Sequence, residues 1–311
     1  MKTIYVVKRG EGLELAEGSA PQPIPGEGEV LIRVQAAGVT PTELQWYPTT
    51  HTRSGETRRE AIPCHEFCGT VAAMGPGMTG GFEIGQEVFG MNDWFAQGAL
   101  AEFCLALPIS LAAKPKELTC EQAASAPIGA LTAWQGLFDR AELQAGERLL
   151  VHGGAGAVGL FAVQLAKMRG AHVIATASAR NLDFVKSLGA DEVIDYRNSR
   201  FEESVGLVDV VFDTAGGETL ERSWRILKPN GRMVTIVSSA EGTTEQRVKD
   251  AFFIVEPNGQ ELGAIGELLG AGRLHTVVDS VFALDQAPDV YKERVVRRGR
   301  GKMVIRVGDA Q

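Results

Sequence analysis

Short β-branched runs cut by glycine and proline fill the chain from Met1 to about Pro115. Ile4-Tyr5-Val6-Val7 opens the series and Val30-Leu31-Ile32-Arg33-Val34 continues it. Gly69-Thr70-Val71-Ala72 runs into the turn cluster Gly75-Pro76-Gly77, and Gln86-Glu87-Val88-Phe89-Gly90 follows Gly85. Regularly spaced short strands with such turns predict a small barrel or sandwich. From about Thr119 to Arg273 the rhythm changes. Apolar strands at 148–152, 172–175, 192–195, 208–212 and 232–237 alternate with segments of helical period, the first carrying Val158, Phe161, Ala162, Leu165 and Ala166. Further helices are predicted at 181–188, 218–227 and 259–269, with Phe252-Phe253-Ile254-Val255 as a last strand. Near-continuous apolar strands alternating with helices mean a parallel sheet covered on both faces. After His275 the pattern is β again, and Lys302-Met303-Val304-Ile305-Arg306-Val307 closes it. The expected fold class is therefore α/β. A doubly wound Rossmann sheet spans 121–272, and a mostly-β domain spans 1–120 and is completed by 273–311.

Composition narrows the function. The 311 residues are 44% hydrophobic and 23% charged, an ordinary globular balance with enough apolar surface for two cores. A formal charge of -8 makes nucleic acid an improbable partner, since phosphates want a basic footprint. Four cysteines, Cys64, Cys68, Cys104 and Cys120, are too few and scattered for a disulfide framework, which points to a reducing, cytoplasmic setting. No run of 18 apolar residues exists, so no membrane span is expected, and the N-terminus does not read as a signal peptide.

Gly154, Gly156 and Gly159 stand in G-x-G-x-x-G spacing directly after a strand and at the start of a helix. That context reads as a dinucleotide turn, whose backbone approaches a pyrophosphate held by the free N–H groups of the helix. The next strand ends in Ala175-Thr176-Ala177-Ser178-Ala179-Arg180. NAD sites place an acid about 20 residues after the first glycine to bind the ribose hydroxyls. Here Ser178 and Arg180 offer a hydroxyl and a guanidinium instead, and Tyr196 lies just past the third strand. This set selects NADPH, because an acid would repel the extra phosphate that an arginine attracts.

These residues resemble the medium-chain dehydrogenase/reductase superfamily, and in particular its zinc-free quinone oxidoreductase branch, the zeta-crystallin-like enzymes. The segment 146–159 is close to that branch's signature. Pro63 to Val71 is similar to its G-H-E segment, with Cys64 in place of the glycine. Leu131-Thr132-Ala133-Trp134, Gly189-Ala190-Asp191, Asp213 to Gly217 and Gly301-Lys302 are also similar. The resemblance implies a GroES-like β domain joined to a Rossmann domain, an active site in the cleft between them, and a homodimer or homotetramer. It implies that Thr132 approaches the nicotinamide and that Ala157 and Val158 lie against the pyrophosphate. Ala215, Val237 and Ser238 would line the ribose side, Phe253 and Val255 the nicotinamide side, and Lys302 would close the cleft.

Cys64-His65-Glu66-Phe67-Cys68 invites a zinc reading, but residues four apart on a strand are about 13 Å apart, and a zinc needs ligands within about 2.3 Å. Zinc-dependent relatives have a cysteine where this chain has Thr40, a histidine matching His65 and a cysteine near Ile128 or Gly129. Only the histidine survives, and it reads as a packed, hydrogen-bonded residue. Without a metal, the natural reaction is hydride transfer from NADPH to a quinone or an α,β-unsaturated carbonyl, with the cofactor carrying the chemistry. Thr40 and Tyr47, in the segment Thr40 to Tyr47 that faces the cleft in relatives, are the candidate catalytic residues; relatives carry Asn-Pro-x-Asp there. Three other readings remain: a zinc-type alcohol dehydrogenase, an NADPH-binding sensor without turnover, and an RNA-binding relative. The last rests on Arg294, Arg297, Arg298, Arg300 and Lys302, which read more simply as a solvated helix end.

Overall fold

The computed structural model describes residues 1–10, 12–78, 80–292 and 294–308, and the side chain of Ser238 also lies outside the described set. The chain divides into two compact units. One comprises Met1–Ile128, Glu256–Arg298 and Lys302–Gln311; the other comprises Gly129–Val255 and Gly299–Gly301.

The first unit opens with an antiparallel hairpin of β1 (Lys2–Arg9) and β2 (Gly12–Ser19). Its main sheet is built on β3 (Val30–Gly38), β4 (Glu66–Met74), β5 (Glu87–Met91), β6 (Phe103–Ala106) and β7 (Leu111–Ala113). β4 covers one edge of β3, and β5 and β7 extend the sheet beyond β4. The other edge of β3 is shared. Val30 to Arg33 pair with β6, whereas Ala36 to Gly38 take a strand from the end of the chain. Val30, Ile32, Phe67 and Val88 are wholly buried in one core with Ile4, Leu100 and Ile305.

The second unit is a parallel sheet of β8 (Arg148–Val151), β9 (His172–Ala177), β10 (Glu192–Asp195), β11 (Val208–Asp213) and β12 (Leu227–Thr235). Their order is β10-β9-β8-β11-β12, so the winding reverses between β8 and β11. Open α/β sheets bind their ligands at such a switch point, outside the carboxyl ends of the strands. Leu149, Leu150, Val173, Ile174, Val210 and Val211 are fully buried, as strands covered on both faces must be.

β13 (Val278–Ala283) and β14 (Lys302–Arg306) then complete the first sheet, parallel to each other, with β14 antiparallel to β3.

Three sequence expectations are corrected. Residues 252–255 form no strand: Phe252 makes one isolated bridge to Thr235, after a helix Gln246–Ala251. Phe253 and Val255 are buried. The helix Gly259–Gly270 belongs to the first unit and not to the dinucleotide unit. Its small residues explain this, for Gly259 lies against the carbonyls of Leu111 and Ile109, and Gly266 faces the Phe89 ring. Finally, Cys68 and Cys120 form a disulfide across 52 residues of sequence. One bridge is no framework, but it removes cysteine usage as an argument for a reducing compartment.

Candidate active site

In the second unit, β8 delivers the chain into the turn His152–Val158, which opens the helix Gly159–Met168. Gly154 N donates to Thr176 O at 2.9 Å and Gly156 N to Gly153 O at 2.9 Å, so β9 and the turn brace each other. Gly159 is obligatory, because a Cβ there would overlap the carbonyl of Gly153. Gly156 is exposed and Ala157 and Val158 are half-exposed, leaving the backbone of the turn open to a ligand. These features fit a dinucleotide pyrophosphate.

Ser178, Arg180 and Tyr196 gather at one end of this sheet. Ser178 follows the last residue of β9, and Tyr196 N donates to Ala177 O at 3.2 Å. Arg180 is exposed, and Tyr196 is 51% exposed with the Arg197 guanidinium over its ring. Ala215 and Val237 sit in the loops after β11 and β12. Sequence reasoning missed what shapes them. The buried carboxylate of Asp213 accepts from Ala215 N at 3.0 Å, Gly216 N at 3.1 Å and the Thr235 hydroxyl at 2.8 Å. Thr132 is buried on the helix Pro127–Trp134. Phe253 is buried with the Arg140 guanidinium over its ring. Ser238 falls outside the described side chains. His152 is buried between Thr176 Oγ1 at 3.2 Å and Ser223 Oγ at 2.9 Å, and burial drives its pKa down to about 4. It is a neutral structural histidine.

The first unit holds a buried polar network that the sequence did not announce. Glu43, in the turn Pro41–Gln45, receives Cys64 N at 3.1 Å on each oxygen, His65 Nδ1 at 2.9 Å, and the Tyr291 hydroxyl. The Cys64 thiol lies 3.0 Å from that hydroxyl. Burial, reinforced by the Glu43 charge, pushes the Cys64 thiol well up. Burial also pushes the Tyr291 phenol well up, and the Glu43 charge acts the same way. Both therefore keep their protons at neutral pH. Tyr291 gives its hydrogen bond to Glu43, and the thiol gives its own to Tyr291. Cys64 holds φ at 64°, where glycine is at home, and its two backbone bonds, N to Glu43 and O from Ala99 N at 2.7 Å, hold it there.

His65 is hydrogen-bonded, as its sequence reading anticipates, but through one nitrogen only. A carboxylate only accepts, so Nδ1 carries the proton facing Glu43. Nε2 is buried with no hydrogen-bond partner among the described residues. Trp94 lies against the ring at 5.2 Å, and Trp46 meets Trp94 edge-on at 4.9 Å.

Beside this network, Lys302 Nζ pairs with Glu66 and lies 3.2 Å from Thr40 Oγ1. Glu66 also accepts from Ile128 N at 2.9 Å. Burial lifts the Glu66 carboxyl above the usual carboxylate range, against the pull of Lys302. Two expectations change here. Lys302 is not part of a solvated basic end: it is 5% exposed and starts β14. Tyr47 stays out of the network, 50% exposed and stacked on His51 at 4.3 Å. Of the two candidate catalytic residues, only Thr40 joins the buried groups.

No group of three or more His, Cys, Asp or Glu side chains among the described residues could hold a metal ion, and none of their helices is long and apolar enough to cross a membrane.

Comparison with known proteins places these units in a family. Residues 26–116 match the alcohol dehydrogenase GroES-like domain, and residues 188–305 match the family described as zinc-binding dehydrogenase. The chain is 35% identical to a probable zinc-binding oxidoreductase, mitochondrial, of Arthroderma benhamiae, over 95% of this chain and 93% of that one. It is 30% identical to a chloroplastic quinone oxidoreductase of Triphysaria versicolor, over 95% of each. Among solved structures, the quinone oxidoreductase of Coxiella burnetii superposes with a TM-score of 0.86 at 28% identity, covering 99% of this chain and all of that one. A mycobacterial protein complexed with NADPH superposes with a TM-score of 0.79 at 31% identity and the same coverage.

Proposed function

Because this chain belongs to the medium-chain dehydrogenase/reductase superfamily, in its quinone oxidoreductase branch, we propose that it is a zinc-independent, NADPH-dependent reductase of quinones or α,β-unsaturated carbonyls. The observation that carries the reading is the end of β9. Ser178 and Arg180 stand where an acid would select NAD, with Tyr196 tied alongside through Ala177 O. NADPH, when bound, supplies the hydride. The turn at Gly154, Gly156 and Gly159 holds its pyrophosphate, and Arg180 with Ser178 and Tyr196 holds its adenosine phosphate. Ala157, Val158, Ala215, Val237, Phe253, Val255 and Thr132 shape the rest of the cofactor site. The resemblance puts Ser238 and Lys302 there too, and Lys302 is better read as a partner of Glu66 and Thr40. Thr40 accepts from Lys302 Nζ, which leaves its own hydroxyl proton to give to the reduced acceptor. Association into dimers or tetramers rests on the resemblance.

The donor set does not fit a catalytic zinc. Such a site takes three protein ligands. Here Thr40 is engaged by Lys302, and Ile128 offers a backbone N–H that is already given to Glu66. Among the described residues, the buried, unpartnered His65 Nε2 is an atom that favours a zinc-type alcohol dehydrogenase. A panel of quinones, enones and simple alcohols, each with both nicotinamide cofactors, tests the proposal. NADPH oxidation by quinones or enones, unaffected by chelators, is the expected result. Alcohol oxidation that needs one bound zinc per chain overturns it, and cofactor binding without turnover on any acceptor would make the protein a sensor.

A further inference from the structure

In the first unit, the helix Cys120–Ala124 has five residues, too few to hold its own shape in water. It is held instead against β3 and β4. Glu66 and Cys68 stand two apart on β4, so their side chains leave the same face of that strand. Cys68 is bonded to Cys120 at the start of the helix. At the end of the helix, Gly38 of β3 has no room for a Cβ, because the Ala124 carbonyl and the Glu66 side chain both press on it. Just beyond, Ile128 N donates to Glu66 at 2.9 Å. The disulfide and the Glu66 bond therefore clamp one segment, 119–128, from neighbouring positions of one strand.

Without the bridge, the start of the helix keeps a weak tie. Arg306 pairs with Glu121 at 2.7 Å, but the arginine is 53% exposed, and such pairs contribute little. The core of the unit is built without Cys68 or Cys120, so the bridge can open while the fold stands. Gln35 separates a switch from a staple. Its Oε1 lies 2.8 Å from Cys120 Sγ. A disulfide sulfur has no hydrogen to give, and an amide oxygen only accepts, so this contact is a hydrogen bond only when Cys120 is a thiol. The site thus holds a partner ready for the reduced form. Cys68 is wholly buried and Cys120 is half-buried, which makes Cys120 the sulfur that an incoming thiolate reaches.

We infer that Cys68 and Cys120 form a reversible thiol–disulfide exchange site for small thiols of the glutathione class, and that its state sets how firmly Ile128 is held on Glu66. A thiolate attacks Cys120 Sγ. The new S–S bond forms as the Cys68–Cys120 bond breaks, and Cys68 leaves with the electron pair and takes up a proton. A second thiolate attacks the outer sulfur of the mixed disulfide, and Cys120 leaves, is protonated and donates to Gln35. Two small thiols are oxidised to one disulfide, and the bridge is reduced to two thiols. In the open state the bond from Ile128 to Glu66 loses its covalent support. The carboxylate that pairs with Lys302, beside Thr40, is then held less firmly.

The full native chain is equilibrated without oxygen in glutathione buffers that run from oxidised to reduced. The bridge is counted by alkylation and mass spectrometry, and amide hydrogen exchange is followed across residues 119–128 in the same samples. The bridge should open and close reversibly over this range while the circular dichroism stays that of the folded chain. Exchange at Ile128 should rise by about tenfold or more in the open form, and Cys68→Ser should show the fast rate in every buffer. Gln35→Leu should raise the ratio of reduced glutathione squared to oxidised glutathione at the midpoint by about two- to tenfold, because the thiol form loses its partner. A bridge that opens only when the chain unfolds would be a staple, and four free thiols in every buffer would remove the site. Opening that leaves Ile128 exchange unchanged would break the link to Glu66, and a Gln35→Leu midpoint equal to that of the wild type would remove the partner of the reduced form. Each of these results overturns the inference. None of the readouts uses turnover, so the inference stands or falls apart from the reductase reading.

Discussion

His65 Nδ1 lies 2.9 Å from Glu43 Oε2, with His65 3% and Glu43 1% exposed. This pair anchors the network of the first unit, because the same carboxylate also receives Cys64 N and the Tyr291 hydroxyl. Removing the acceptor leaves three buried donors without a partner, at about 1–3 kcal/mol each. Glu43→Ala should therefore cost at least about 3 kcal/mol of stability in urea denaturation. Combining it with Tyr291→Phe should cost less than the sum of the two single changes, by about 1 kcal/mol or more. Additive losses would mean that the tyrosine and the glutamate do not share a bond worth counting.

Lys302 and Glu66 make a different prediction. Removing one partner of a buried ion pair strands the other, at about 3–5 kcal/mol, whereas replacing both with apolar residues is often neutral. Lys302→Met alone should destabilise the chain by that amount, and Lys302→Met with Glu66→Leu should recover most of it. Equal denaturation midpoints for the single variant and the wild type would contradict the burial of the pair.

His152 sets a pH dependence. Burial holds its folded pKa down at about 4, against about 6.5 for a free histidine. Between these values the unfolded chain binds a proton that the folded chain refuses, so the folded state loses ground as pH falls. Its stability should be complete above about pH 6.5 and should drop by about 2 kcal/mol on acidification to about pH 5, before depressed carboxylates such as Asp209 and Asp191 titrate. His152→Gln should flatten that slope. A slope that is unchanged in the variant would assign the effect to another group.

The Cys68–Cys120 bridge closes 52 residues of chain, and a loop of that length is worth about 4 kcal/mol in the chain-entropy treatment. Cys120→Ser should lower the melting temperature of the oxidised protein and remove its sensitivity to reductant. Thiol titration that finds four free cysteines in the air-oxidised protein would contradict the bridge.

Much of this was legible in the chain. The parallel strands of the second unit announced themselves through apolar runs such as Arg148 to His152, and the turn at Gly154 to Gly159 through its place between strand and helix. Residues 252–255 were not legible, because four apolar residues fit a strand and a buried coil equally well. The helix Gly259–Gly270 carried a clear helical pattern, but its partner was set by small residues meeting Leu111 and Phe89, which periodicity does not name. The network around Glu43 was hidden for another reason. It joins positions 43, 64, 65 and 291, and no local pattern links a tyrosine to a glutamate 248 positions away. Lys302 was misread by its neighbours, since a run of basic residues looks like a solvated end until the tertiary fold buries one of them.

The central claim is that the end of β9 selects NADPH. Its most direct test is the ratio of kcat/KM for NADPH to kcat/KM for NADH, measured with one quinone acceptor in the wild type and in Arg180→Ala. A charge-assisted hydrogen bond to the phosphate is worth about 1.5–3 kcal/mol, so losing it should raise KM for NADPH by about tenfold to a hundredfold. The turnover number should stay near its starting value and NADH should be almost unaffected, which shrinks the ratio by the same factor. A wild type that prefers NADH, or a ratio that Arg180→Ala leaves unchanged, would contradict the account.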